Sequence, residues 1–175
     1  MPQASPDDSV PLFYTPAASV SLRQPVADAF EEWRSFMTAG CALTVPSTIR
    51  NLYCYIALEA GNITARNLPV TVQVFSIDMG IKANLLRFGG NAGVSPVAGL
   101  SSMMVGGSGG GIMLSPSYLF KEVENEFGFF AGVAPWYRWK MFDAEFSFTA
   151  VRILSSPERF TTTAAALRIG YRIDR

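Results

Sequence analysis

The segment that most constrains the fold lies near the end of the chain, where "RFTTTAAALRIGYRI" alternates apolar and polar residues. Ala165, Leu167 and Ile169 occupy alternate positions, and Arg168 and Gly170 lie between them. Successive side chains of a β-strand point to opposite faces, so this period of two predicts a half-buried antiparallel strand. About seven or eight strand-like segments with turn signals between them can be counted, which is typical of a sandwich or a barrel.

The composition indicates one folded domain without histidine chemistry. The 175 residues are 49% hydrophobic, enough for a full core, and Lys plus Arg and Asp plus Glu each number 14. The charges are balanced and scattered, so no basic patch for nucleic-acid binding is predicted. The chain has no histidine, which excludes histidine-based triads and histidine metal sites. We therefore predict no enzymatic activity, no metal and no cofactor.

The two cysteines, Cys41 and Cys54, leave two interpretations open. They can form one disulfide if their Cα atoms lie within about 7 Å of each other. Otherwise they are buried free thiols, as is usual in a reducing compartment. Two cysteines cannot build a zinc site alone, because such sites usually need four ligands.

The start of the chain is predicted to differ from the strand-rich remainder. Prolines at four of the first sixteen positions favour an extended arm over residues 1–24. The segment "PVADAFEEWRSFM" then has apolar residues at helical spacing, which predicts a helix over 25–38. This helix would belong to a single β-domain covering residues 25–175.

The same N-terminal stretch lacks the basic and apolar regions of a signal peptide. This argues against export if the chain is the complete gene product, and carries no weight if the chain is a processed form. The sequence also lacks a run of about 18 apolar residues, so no transmembrane helix is expected.

A further segment, "VPSTIRNLYCYIALEAG" at residues 45–61, carries apolar residues on both faces of its predicted strand. Tyr53 and Tyr55 would lie on one face, with Leu52 and Cys54 on the other. A strand without a polar face belongs in a sheet that is covered on both sides. The sequence therefore predicts an all-β fold: an antiparallel, jelly-roll-like β-sandwich with one N-terminal helix and the extended arm.

The segments "VPSTIRNLYCYI", "EAGNITARNL" and "PVTVQVFSIDMGI", within residues 45–93, resemble the β-sandwich modules of phage and viral structural proteins. The resemblance implies a non-enzymatic capsid, decoration, spike or tail subunit, located in the virion. Its partners would be copies of itself and other virion proteins, bound through apolar and aromatic interfaces. The candidate interface residues are Tyr53, Tyr55, Trp33, Trp136, Tyr137, Arg138 and Trp139.

Two alternatives compete with this hypothesis. The segments "GIMLSPSYLF", "GFFAGVAPWYRW" and "AALRIGYRI" resemble strands of small outer-membrane β-barrels, which implies an eight-stranded barrel in a bacterial outer membrane. The missing export signal, the non-aromatic C-terminus and the lack of a polar face over residues 52–58 count against it. The other alternative is a carbohydrate- or ligand-binding β-domain, with Trp136, Tyr137 and Trp139 as its platform.

Overall fold

Ten β-strands make up the part of the chain that the computed structural model describes, which is residues 13–26, 33–67, 71–108, 123–154 and 161–174. The strands are β1 (Phe13–Val26), β2 (Phe36–Pro46), β3 (Leu52–Thr64), β4 (Thr71–Ala83), β5 (Leu86–Phe88), β6 (Ala92–Ser108), β7 (Val123–Trp139), β8 (Phe142–Ile153), β9 (Thr161–Tyr171) and β10 (Ile173–Asp174). No helix among these residues is long and apolar enough to cross a membrane.

All of these strands pair antiparallel in one sheet that closes on itself. The long strands follow the order β1-β2-β3-β4-β6-β7-β8-β9, and β9 pairs back onto β1 from Ala17↔Gly170 to Val26↔Thr161. The short strands β5 and β10 follow β4 and β9 after brief interruptions, and they pair with β6 and β1. The result is a closed barrel with eight wall strands, and closure removes the unpaired edges that an open sheet exposes.

The closed ladder shows that the predicted jelly-roll-like sandwich is wrong, because the strands form one sheet around an interior and not two packed sheets. The helix predicted over 25–38 is also wrong. Pro25 and Val26 end β1, residues 36–38 begin β2, and residues 27–32 lie outside the described part. Of the predicted extended arm, residues 13–24 belong to β1, and residues 1–12 are not described.

The two ends of the barrel have different connections. At the end that we call the short-turn end, each turn holds a residue in the left-handed region, with φ of 64° at Asn51, 66° at Gly89 and 55° at Lys140. A positive φ lets the chain reverse tightly between twisted antiparallel strands. At the opposite, long-connection end, the strands are joined by residues 27–35, 65–70, 109–122 and 154–160, most of which are not described.

The outer wall of the barrel is apolar, and charged side chains are buried inside it, the reverse of a soluble domain. On the outer wall, the side chains of Leu100 and Leu167 are 66% and 47% exposed. Inside the barrel, Glu59 and Arg23 are 1% and 3% exposed. Charged residues are almost never fully buried unless they are paired, so the interior needs a network of partners.

An uncharged apolar band runs around the outer wall. Among the described outward-facing strand residues, only Arg152 carries a charge, and it lies near the long-connection end. The band ends there in a polar rim, and it ends in exposed aromatic rings near the short-turn end. The rim residues are Gln24, Asn62, Gln73, Arg152 and Thr163, and the rings are those of Phe88, Tyr137, Trp139, Phe142 and Tyr171.

Candidate functional site

The centre of the barrel interior is organised around the carboxylate of Glu59 on β3. Its Oε1 accepts hydrogen bonds of 2.7 Å from the hydroxyls of both Ser19 and Ser21 on β1. Its Oε2 accepts one of 2.7 Å from Thr38 on β2 and one of 3.0 Å from Nη2 of Arg23 on β1. Donors from β1 and β2 thus converge on one carboxylate of β3, and these four hydrogen bonds offset the cost of burying its charge.

The guanidinium of Arg23 extends this network to the next part of the wall. Its Nη2 also lies 3.0 Å from the Ser76 hydroxyl and 3.3 Å from Oδ2 of Asp78, both on β4. The other oxygen of Asp78 accepts a 2.6 Å hydrogen bond from Ser101 on β6. Arg23 is therefore shared between two carboxylates, Glu59 and Asp78.

A second cluster lies nearer the short-turn end. Glu145 on β8 accepts hydrogen bonds from Lys82 on β4 and, at 3.0 Å, from Arg168 on β9. Arg168 also donates to the Ser147 hydroxyl at 2.7 Å, and its Nη2 lies 4.0 Å from Oε1 of Glu59. Lys82 and Glu145 come from strands on different sides of the barrel, so their ion pair crosses the interior.

The ring of Tyr55 connects the charged clusters to an apolar layer. The Lys82 ammonium and the Arg168 guanidinium each lie 5.0 Å from the ring centroid, which is cation–π distance. The Phe130 ring meets Tyr55 edge-on at 6.2 Å between centroids. The apolar layer lies toward the long-connection end and is formed by Phe36, Ile63, Val72, Val74, Met103, Val151 and Ile153.

Two glycines give Tyr55 and Phe130 room to meet. Their strands, β3 and β7, are separated by β4 and β6, which place Gly80 and Gly99 in the same register row. A Cβ at Gly99 would lie 2.1 Å from the carbonyl oxygen of Met79, well inside the distance that real Cβ atoms keep. A larger residue in this row would push the strands apart.

Gly99→Ala is therefore expected to lower the free energy of unfolding by about 1–3 kcal/mol, since overpacking forces the backbone to shift. Gly90→Ala is the matched control, because a Cβ there meets nothing within 4 Å. Denaturant unfolding of both variants under the same conditions measures the difference. Equal stabilities would show that the β4–β6 ladder tolerates the added methyl group.

The arrangement closes the interior. Side chains from β1, β2, β3, β4, β6, β8 and β9 are joined by hydrogen bonds and ion pairs across the barrel. Together with a further ion pair between Arg138 and Asp143, these clusters hold four cations and four anions. The cations are Arg23, Lys82, Arg138 and Arg168, and the anions are Glu59, Asp78, Asp143 and Glu145. The charged network and the apolar layer together leave no room for an open pore at their level.

The predicted interface residues are distributed over both faces of the wall. Tyr53 and Trp136 line the interior near the short-turn end, and Tyr55 is buried inside. Arg138 also faces inward and forms an ion pair of 3.0 Å with Asp143. Trp33 bridges to Ala65 near the long-connection end, whereas Tyr137 and Trp139 are exposed on the outer wall.

Alternation along β7 therefore separates the rings of the predicted ligand platform. Trp136 points to the interior while its neighbour Tyr137 and then Trp139 lie on the outer wall, so the three rings do not share a surface. Cys41 and Cys54 are free and exposed, also on the outer wall, so the predicted burial of free thiols is wrong.

Apart from Arg138, the charged interior residues were not singled out by the sequence patterns. Glu59 and Arg168 are isolated charges inside otherwise apolar or small-residue strands, in "IALEAG" and "AALRIGY". Several lie two positions from a serine that shares their face, such as Ser76 beside Asp78. Isolated charges in phase with small hydroxyl residues are the signal that could have identified the interior.

Comparison with solved structures identifies the architecture. Neisserial surface protein A superposes with a TM-score of 0.63 at 14% identity, covering 93% of this chain and 97% of that one. A major outer membrane protein from Thermus thermophilus gives 0.62 at 8% identity, with 94% and 100% coverage. The attachment invasion locus protein Ail of Yersinia pestis gives 0.59 at 9% identity, also with 94% and 100% coverage.

The fold is that of small outer-membrane barrels. No known family model matches the chain. No curated protein sequence matches it either. At identities this low, the likeness concerns the fold alone. The eight-stranded outer-membrane-type barrel, the first alternative drawn from the sequence, is thus confirmed as the architecture. The virion structural subunit and its virion location are wrong, because they depended on a sandwich that the closed sheet replaces.

Proposed function

We propose that this chain is a non-enzymatic integral protein of a bacterial outer membrane, spanning it as an eight-stranded barrel with a closed interior. The observation that carries the proposal is the uncharged apolar band of the outer wall, bounded by a polar rim at one end and aromatic rings at the other. Lipid solvates such a surface, whereas water would not. The similarity to solved outer-membrane proteins supports the same location.

The asymmetry of the ends suggests an orientation. Outer-membrane barrels carry short periplasmic turns and longer extracellular loops. The short turns at Asn51, Gly89 and Lys140 would then face the periplasm, and the four longer connections would face outward. The exposed aromatic rings near the short turns, such as Trp139 and Tyr171, would lie at the periplasmic membrane interface.

The closed interior favours a structural or surface-exposed role over a channel. The buried ion pairs of Glu59 and Glu145 and the apolar layer beyond them block the barrel axis.

The proposal predicts three measurable properties of the purified protein. The protein requires detergent for solubility, and its folded form migrates differently on gels before and after boiling. Reconstituted in a planar bilayer, the purified barrel passes no stable ionic current, whereas a porin measured in parallel does. A protein that stays monomeric and soluble without detergent would overturn the membrane location, and a stable open-channel current would overturn the closed interior.

A further inference from the structure

The turns at the short-turn end form one connected surface, which comprises residues 47–51, 84–91 and 140–141 and which we call the turn surface. The backbone N–H of Asn84 donates a 2.8 Å hydrogen bond to the carbonyl of Asn51, which joins the first turn to the second. The N–H of Arg138, just before the third turn, donates to the carbonyl of Asn91 at 2.6 Å. The backbone therefore holds the three turns together.

Each of these turns contributes one exposed cation, namely Arg50, Arg87 and Lys140. None of the three forms an ion pair with another residue in the described part of the chain. The turn sequences, "STIRN", "NLLRFGGN" and "KM", contain no aspartate or glutamate. The turn surface thus concentrates positive charge in a chain whose formal net charge is zero.

Two of the cations are kept on adjoining turns. Nη2 of Arg87 donates a 2.9 Å hydrogen bond to Oδ1 of Asn51, the residue that follows Arg50. This contact holds the guanidinium of Arg87 against the turn that carries Arg50. Because like charges repel, an anionic partner outside the protein stabilises such an arrangement.

Each cation also lies next to an exposed apolar side chain in the sequence. Ile49, Phe88 and Trp139 are 62%, 63% and 60% exposed. The Lys140 ammonium lies 5.4 Å from the ring centroid of Trp139, which places this charge beside the outer wall. Cations beside exposed apolar side chains suit a membrane interface, where the apolar parts meet acyl chains and the charges meet headgroups. A polar, water-soluble anion would satisfy the charges but leave the apolar side chains in water.

Building on the membrane location proposed above, we infer that the turn surface binds anionic phospholipid headgroups, such as phosphatidylglycerol, in the leaflet around the short-turn end. Guanidinium and ammonium groups donate charge-assisted hydrogen bonds to phosphate oxygens. A zwitterionic headgroup carries its own cation, so a surface with positive charge and no carboxylate prefers a headgroup with net negative charge.

Spin-labelled lipids test the lipid class separately from the membrane location. The protein is folded into phosphatidylcholine vesicles that contain a trace of spin-labelled phosphatidylglycerol or phosphatidylcholine, and electron paramagnetic resonance measures the fraction of each label whose motion the barrel restricts. We expect both labels to be restricted, with a preference of about twofold or more for phosphatidylglycerol at low ionic strength. Restriction of neither label would overturn the membrane location, whereas equal restriction of both would overturn the lipid inference alone.

Matched variants assign the preference to the turn surface. Arg50→Gln/Lys140→Gln is expected to remove most of the preference, while the control Arg50→Lys/Lys140→Arg keeps both charges and should keep the preference. Arg152→Gln, at the polar rim of the opposite end, should leave most of it intact. A preference that survives Arg50→Gln/Lys140→Gln, or that is lost in the charge-keeping control, would overturn the inference. If the neutral double variant fails to fold, the single variants Arg50→Gln and Lys140→Gln decide, because each should lower the preference.

Discussion

Glu59→Ala is expected to lower the free energy of unfolding by about 3–5 kcal/mol, the usual cost of breaking a buried ion pair from one side. Arg23 would lose the nearer of its two carboxylates, at 3.0 Å, and would keep only Asp78 at 3.3 Å. The hydroxyls of Ser19, Ser21 and Thr38 would lose their acceptor at the same time. The loss is therefore larger than that of any single hydrogen bond.

A double-mutant cycle with Arg23→Met and Glu59→Met shows whether charge or packing is responsible. Replacing both partners of a buried pair by apolar residues is often close to neutral, so the double variant should lose far less stability than the sum of the single variants. Asp78 keeps its hydrogen bond from Ser101 throughout but loses its contact with Arg23 in both the Arg23→Met variant and the double variant, so this loss cancels in the coupling energy. The measurement is urea unfolding in phospholipid vesicles, with Gln73→Ala on the outer rim as the control. Strict additivity would contradict the ion-pair explanation.

The alternation of the last long strand predicted its structure correctly but not the direction of its two faces. Leu167 and Ile169 share one face and Arg168 lies on the other, as expected for an antiparallel strand. In a soluble protein the apolar face would be buried, yet here Leu167 and Ile169 are 47% and 56% exposed and Arg168 is 9% exposed. An alternation with a period of two indicates that the two faces of a strand differ in polarity, but it does not indicate which face points to the protein interior.

Residues 52–58 misled the interpretation because tyrosine was counted as apolar. Tyr53 and Tyr55 belong to the inward face of β3. Tyr55 packs beneath two cations, and its neighbours Cys54 and Ile56 lie on the outer wall. An aromatic ring that holds cations is compatible with a charged interior. The segment therefore does alternate, and it does not need a sheet that is covered on both sides.

Neither the absence of the predicted helix nor the closure of the barrel could be predicted from local pattern alone. The apolar spacing of the helix segment spans the end of β1 and the start of β2, so it combines residues from two separate strands. The barrel is closed by the pairing of β9 with β1, and Tyr171 at the end of β9 supplies an exposed ring. Closure depends on pairing between the two ends of the chain, which local periodicity does not contain.

Leu167→Arg is expected to destabilise the barrel folded in phospholipid vesicles by about 2–4 kcal/mol if the outer wall faces lipid. Leu167 lies outward in the middle of the apolar run of β9, between Ala165 and Ile169. A guanidinium there would have to leave water or distort the bilayer around it. The same substitution in a solvent-facing position would cost almost nothing.

Thr163→Arg is the matched control, because it lies on the same strand and the same face, four residues away at the polar rim. There an arginine reaches the membrane surface, and the expected loss is about 0–1 kcal/mol. Equilibrium folding into vesicles, followed by the heat-dependent gel shift, measures both variants under the same conditions. A large loss for Leu167→Arg beside a small one for Thr163→Arg places the rim at the lipid boundary. Equal small losses would mean that water, not lipid, covers the apolar band, and that the membrane location is wrong.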